Sequence, residues 1–356
     1  MLYTAYQAQS DLMAPLRAMS AGTARLLTDL SPGGADRWMA RSTLATSEII
    51  ARWGLTHRRP AFGIDSVTVE GREVAVREEA VRTTPFGTLL RFRKDTDAVQ
   101  PRVLLVAPLS GHFATLLRAT VKTMLADHDV FITDWHNARD VPARHGRFGV
   151  DEYIDHLIDF LDAMGPGAHV VAVCQPCVPA LAAAAIMAED DHPAAPHSLA
   201  LMAGPIDARV SPTMVNDLAA ARPIEWFERN VIAIVPPRFA GAGRRVYPGF
   251  VQVAAFMRKN PDRHRAAFRR LYDDIVACND ARALATKAFY DEYFAVLDLT
   301  AEFYIETVAT IFRDHLLALD GEQRRAPDRL GIDPPTLPVE LALGEAMLLE
   351  HPLHGF

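Results

Sequence analysis

An α/β fold, a parallel sheet with helices on both faces, is predicted by three observations. Short strands alternate with helical stretches between residues 102 and 202, the rhythm of consecutive βα units. Those strands are unbroken apolar runs with no polar alternation, as strands buried on both faces must be. Half of the 356 residues are apolar (50%), enough to fill a large core.

The elements follow in order. In residues 1–60, Leu12, Met13, Leu16 and Met19 recur at helical spacing, and so do Leu44, Ile49, Ile50 and Trp53. Their amphipathic face either packs on the main domain or lies on a lipid or polymer surface. Between 64 and 94 apolar and polar residues alternate about Gly71, which predicts an antiparallel hairpin, with a further strand at 88–92. Buried strands are expected at 103–107, 130–133, 170–173 and 199–202, and helices at 114–126, 150–163 and 176–189. A hairpin feeding such a sheet is the α/β-hydrolase arrangement. The aromatic-rich stretch 212–325 reads as a mostly helical cap. The domain plan is therefore an N-terminal helical segment at 1–60, a core at 61–211, a cap at 212–325 and a divergent tail at 326–356.

Composition removes several function classes. The net charge of −7 is spread over mixed acidic and basic residues, so there is no basic field for nucleic acid. No stretch reaches the roughly 20 apolar residues of a transmembrane helix, and the N-terminus lacks the basic and apolar regions of a signal peptide. A cytoplasmic location is the expectation. Three cysteines, Cys174, Cys177 and Cys278, suit a reducing compartment and make no disulfide framework.

Cys174 carries the chemistry. It lies where the 168–173 strand gives way to Gln175-Pro176-Cys177 and a small-residue helix. A side chain on such a turn is held at the top of the sheet, facing the free N–H groups of the next helix, which favour a thiolate and an oxyanion. Pro176 suits the first helical turn because its missing N–H had no partner there. Glycines normally stand two residues either side of such a nucleophile; here the places are Ala172 and Pro176. Cys174 and Cys177 also form a C-x-x-C, the local context of thiol-disulfide oxidoreductases. No second ligand pair accompanies it, so a zinc site is not expected. The Asp134-Trp135-His136-Asn137-Ala138 segment follows a strand at the expected active-site edge, where substrate contact, helix capping and packing are all open; His112, Asp291-Glu292, Glu302 and the aromatics of 289–304 are better explained by loop satisfaction, exposed faces and core packing.

Several segments resemble the intracellular poly(3-hydroxybutyrate) depolymerases: Val173-Cys174-Gln175-Pro176, Leu201-Met202-Ala203-Gly204-Pro205-Ile206-Asp207, Gly243-Arg244-Arg245-Val246-Tyr247-Pro248-Gly249-Phe250 and Phe289-Tyr290-Asp291-Glu292-Tyr293. The likeness runs from residue 1 to about 334 and includes Pro108-Leu109-Ser110-Gly111-His112-Phe113. It implies an α/β-hydrolase fold and cleavage of stored polyhydroxyalkanoate, polymer or oligomer, at the granule surface, with no cofactor. It implies Cys174 as nucleophile, Gln175 as the residue whose N–H enters the oxyanion hole, and the Leu109–Gly111 loop with Ser110 as the second donor.

After Asp333-Pro334 the likeness stops. The family's triad acid and base lie near its C-terminus, and the tail here matches neither, so the sheet is expected to lack its last strands through a truncation or a shifted frame. Asp207, His351 and His354 are the substitute triad candidates. The expectation is a chain of low activity, destabilised and prone to aggregate. A polyester synthase and a granule-binding protein without catalysis are the remaining alternatives.

Overall fold

The computed structural model describes residues 2–29, 37–210, 212 and 214–318, with 339–342 as backbone. The chain opens with α1 (Leu2–Asp29) and α2 (Arg37–Arg52). A hairpin follows, β1 (Ser66–Val69) and β2 (Arg72–Thr83). Its turn residues Glu70 and Gly71 have φ of 49° and 77°, the pair of positive values that matches the twist of two joined strands. After β3 (Gly87–Lys94) come β4 (Arg102–Val106), α3 (Arg118–Met124), β5 (Asp129–Trp135), α4 (Val150–Met164), β6 (Ala168–Val173), α5 (Cys177–Glu189) and β7 (Ser198–Met202). The next stretch holds α6 (Met214–Ala221), α7 (Ile224–Asn230), β8 (Ala233–Ile234), β9 (Arg245–Tyr247), α8 (Gly249–Lys259), α9 (Pro261–Val276), α10 (Asp280–Tyr293), β10 (Leu299–Thr300) and α11 (Ala301–Glu306). The last described element is β11 (Val339–Ala342).

Eight strands form the main sheet in the order β1-β2-β3-β5-β4-β6-β7-β11. β1, β2 and β3 join antiparallel; β5, β4, β6, β7 and β11 are mutually parallel. This is the α/β-hydrolase fold. Where late strands were expected to be missing, one strand, β11, extends the parallel edge beyond β7 through the pairs Val339 to Leu199 and Ala342 to Met202.

The strand order puts the functional edge in a definite place. From β4 the chain crosses to β5 on one side, then returns past β4 to β6 on the other. Loops leaving β4 and β6 therefore diverge at the switch in winding direction, where open α/β sheets bind ligands. The strands beneath are closed to water: Leu104, Leu105 and Val106 of β4 and Val130 and Ile132 of β5 are fully buried. On one face α4 lays Tyr153, Ile154, Leu157, Phe160 and Leu161 inward, and on α5 the small Ala182, Ala183 and Ala184 allow close packing.

Residues divide into two compact units. The sheet, with Ala61–Tyr247 and the chain from Asp298, forms the larger; Met1–Pro60 and Pro248–Leu297 form the other. The smaller unit is helical, with α2, α9 and α10 closing over Ala45, Leu271, Ile275 and Ala283. Asn260 caps α9 by accepting from the Arg263 N–H, and Pro261 fills the first helical position. In the stretch 212–325 helices are joined by a small antiparallel sheet, β10-β9-β8.

Candidate active site

The chain leaves β6 in a left-handed turn. Cys174 has φ of +67°, a conformation that costs a residue with a side chain about 1 kcal/mol or more and persists only where its surroundings enforce it. Its N–H donates to the Met202 carbonyl at 2.8 Å, extending the pairing of β6 with β7, and its own carbonyl accepts from Cys177 N–H at 3.1 Å as α5 begins. The side chain is thereby held at the C-terminal edge of the sheet, half-buried. Burial pushes the Cys174 thiol up, and the Gln175 N–H directed at the sulfur draws it partly back. The lowering expected from the start of α5 is thus outweighed by desolvation.

Cys177 has a structural place. Its Sγ donates to the Ala172 carbonyl at 3.3 Å and approaches that of Met202 at 3.6 Å, and burial pushes its thiol up to about 12. Gly204, just past β7, packs against it so closely that a methyl group there would overlap Cys177 Cβ and Sγ. The sequence carried Gly204 only inside a motif, because no local pattern shows two separate segments in contact.

Register brings the loop after β4 to the same edge. Val106 pairs with Ala172, so Ala107 and Pro108 leave β4 beside Val173 and Cys174. The Ala107 peptide is fixed on both sides: its N–H donates to Thr133 Oγ1 at 2.9 Å, and its carbonyl accepts from Trp135 Nε1 at 3.0 Å and Tyr153 O–H at 3.4 Å. Ser110 follows, half-buried, then Gly111 with φ of +95° and buried His112. Trp135 packs in the core, against Tyr153 and Phe148. Asn137 caps the following turn and also accepts from Asp298 N–H at 2.9 Å.

Asp207 stands on the loop after β7, but Arg209 engages both its oxygens at 2.8 Å and its backbone N–H donates to Oδ1 at 3.0 Å. That contact holds the carboxyl down to about 2. Among the described residues no imidazole hydrogen-bonds Cys174. His351 and His354 lie outside the described residues. No group of three or more His, Cys, Asp or Glu side chains is arranged for a metal among the described residues, and no described helix is long and apolar enough to cross a membrane.

Residues 203–328 match the family model described as the PHB de-polymerase C-terminus. The match covers about a third of the 356 residues. The matched stretch begins one residue past β7, beside Cys174, and takes in every element from α6 to α11. No curated protein matches the chain. Among solved structures similar to this chain, the thioesterase domain from the curacin biosynthetic pathway is 12% identical, with 75% of this chain and 82% of that one covered and a TM-score of 0.37. E-2-(acetamidomethylene)succinate hydrolase is 12% identical over 75% of this chain and 80% of that one, at a TM-score of 0.36. The Francisella virulence factor BioJ is 10% identical over 40% of this chain, at a TM-score of 0.30, and the chain spans about half of BioJ's length (48%).

Proposed function

We propose that this chain is a depolymerase that hydrolyses the ester bonds of a polyhydroxyalkanoate through an acyl-enzyme on Cys174, a reading the match of residues 203–328 to the PHB de-polymerase C-terminus supports. The observation that carries the reading is the left-handed Cys174 at the winding switch, with the Gln175 N–H directed at its sulfur. The thiolate adds to the ester carbonyl, and the carbonyl oxygen becomes negative beside the Gln175 N–H and the loop of Leu109, Ser110 and Gly111. The C–O bond breaks, the chain alcohol leaves with a proton, and water cleaves the thioester. Fixing of Ala107 by Thr133, Trp135 and Tyr153 gives that loop the rigidity an oxyanion site needs. Asp207 is committed to Arg209, which speaks against it as triad acid, so the proton-accepting partner is sought in the segment that contains His354. Catalysis without that partner is slow, because removing triad members typically costs on the order of 10⁴ in rate.

The buried Cys177, bound to backbone carbonyls, favours acyl transfer over a dithiol mechanism. A second observation supports a granule location. On α1, Leu12, Leu16, Met19 and Leu26 are 79%, 45%, 71% and 59% exposed, and they share one helical face. Trp38, Met39 and Trp53 of the same unit are also exposed. An apolar polyester surface is the partner such side chains suit.

The test is release of 3-hydroxybutyrate from amorphous granules by the full chain and by Cys174→Ala. Release that disappears in Cys174→Ala supports the nucleophile; equal release by both refutes it. Polymer binding with no release by either selects the non-catalytic reading. Lysine at Leu12 and Met19 should abolish sedimentation with granules while leaving hydrolysis of a soluble ester unchanged.

A further inference from the structure

Gln175 is 92% buried, as its 8% exposure shows, and among the described residues neither its Nε2 nor its Oε1 has a hydrogen-bond partner. Buried side-chain amides are almost always paired, and one orphaned at both ends beside a nucleophile calls for a ligand. The position adds direction. Gln175 follows the left-handed Cys174 directly and precedes the first turn of α5, a helix of 13 residues. Its backbone N–H already addresses the sulfur, so the carboxamide is a separate and additional pair of groups at the same point.

The ligand must bring two things at once, an acceptor for Nε2 and a donor for Oε1. Every oxygen inside a polyester chain is an acceptor only. Chain-internal units can therefore satisfy the nitrogen and must leave the oxygen bare. The one unit that carries an O–H is the hydroxyl terminus, where hydroxyl and ester carbonyl are separated by two carbons and can meet the two ends of a single carboxamide. We propose that the Gln175 carboxamide reads the terminal 3-hydroxyl and makes the enzyme select the hydroxyl end of an oligoester. This rests on the polyester-hydrolase reading above and adds the chain end to it.

The chemistry then repeats. Cys174 sulfur bonds to the carbonyl carbon of the terminal unit, the C–O bond to the remaining chain breaks, and that chain leaves as an alcohol after taking a proton. Water then cleaves the thioester and releases one 3-hydroxy acid. The shortened chain again ends in a hydroxyl, so each cut regenerates the group that Gln175 recognises.

Binding isolates this from the nucleophile question. Two probes are titrated into full-length Cys174→Ala protein: the linear trimer of 3-hydroxybutyrate with a free hydroxyl end, and the same trimer O-acetylated there. The free trimer is expected to bind roughly tenfold more tightly, the size of one net hydrogen bond, and Gln175→Met in that background should bring the two affinities together. As a second measurement, the Gln175 side-chain amide NMR signals, identified by their loss in Gln175→Met or Gln175→Glu, should shift with the free trimer and stay in place with the capped one. Equal affinities in the parent, a preference that survives Gln175→Met, or no binding of either trimer overturns the proposal. Because the Cys174 thiol is absent, these outcomes are independent of whether Cys174→Ala abolishes turnover.

Discussion

Cys174 should react as a neutral, desolvated thiol, and its alkylation as a function of pH measures this directly. An ordinary cysteine with a pKa of about 8.5 is roughly 3% thiolate at pH 7. Burial pushes Cys174 above its ordinary value, and the one group seen to oppose this is the Gln175 N–H, so the ionised fraction at pH 7 lies below that figure. Only the thiolate attacks, and the rate should then climb about tenfold per pH unit from pH 7 to beyond pH 9 without levelling. The assay is time-resolved iodoacetamide labelling read by peptide mass spectrometry. Exposed Cys278 serves as the reference site in the same molecule and buried Cys177 as the slow one. A Cys174 rate already level at pH 7 would mean that a cation close to the sulfur holds the thiolate. That would refute the argument and point to an imidazolium in place.

Three further outcomes follow from the same geometry. Cys177→Ser should keep ester hydrolysis within a few-fold of the parent, whereas a dithiol mechanism would lose it; reduction of a test disulfide, measured alongside, separates the two. Folded Cys177 binds its proton up to about pH 12 while unfolded cysteine releases it near pH 8.5, so the native state holds more protons between these values. Stability in urea should then fall as pH rises from about 8.5 and fall less steeply in Cys177→Ala. Arg244 is buried and donates to the carbonyls of Val141, Pro142 and Gly146 at 2.8 to 3.0 Å. Arg244→Met should cost about 2 kcal/mol or more by leaving those acceptors bare, with protease cutting in the 141–147 loop as the local readout.

Much of this was legible in the chain. The apolar runs of β4, β5, β6 and β7 fixed the parallel sheet because strands buried on both faces have no polar positions to spare, and Glu70-Gly71 announced its hairpin turn. Cys174 was visible from the strand-to-helix junction alone. Contacts between segments distant in sequence were not: the clamp on Ala107 draws on Thr133, Trp135 and Tyr153, from β5 and α4, and nothing in the local pattern of any of them marks the role. For the same reason Asp207 looked available as a triad acid, since a carboxylate's partner two residues on, Arg209, reads equally well as a solvated charge. Nor could the sequence show that residues 248–297 group with 1–60, because an amphipathic helix does not name the surface it covers.

The missing elbow glycines have an explanation in these contacts. Glycines two residues either side of a nucleophile serve to let strand, turn and helix approach closely. Here Ala172 keeps its methyl, fully buried, and Pro176 begins the helix. The close approach has moved to the neighbouring strand, where Gly204 lies against Cys177 and the Cys174 carbonyl, with no room for a Cβ. The elbow pattern is thus spread over two segments, and the Cys177 sulfur fills the volume that Gly204 leaves. Gly204→Ala should therefore behave as an elbow mutation although it lies 30 residues away from Cys174 in sequence. The added methyl meets rigid backbone-attached atoms, so about 1–3 kcal/mol of overpacking is expected, together with loss of turnover beyond the loss of stability. Measured at a temperature where the variant is still folded, unimpaired hydrolysis would show that the turn does not depend on that contact.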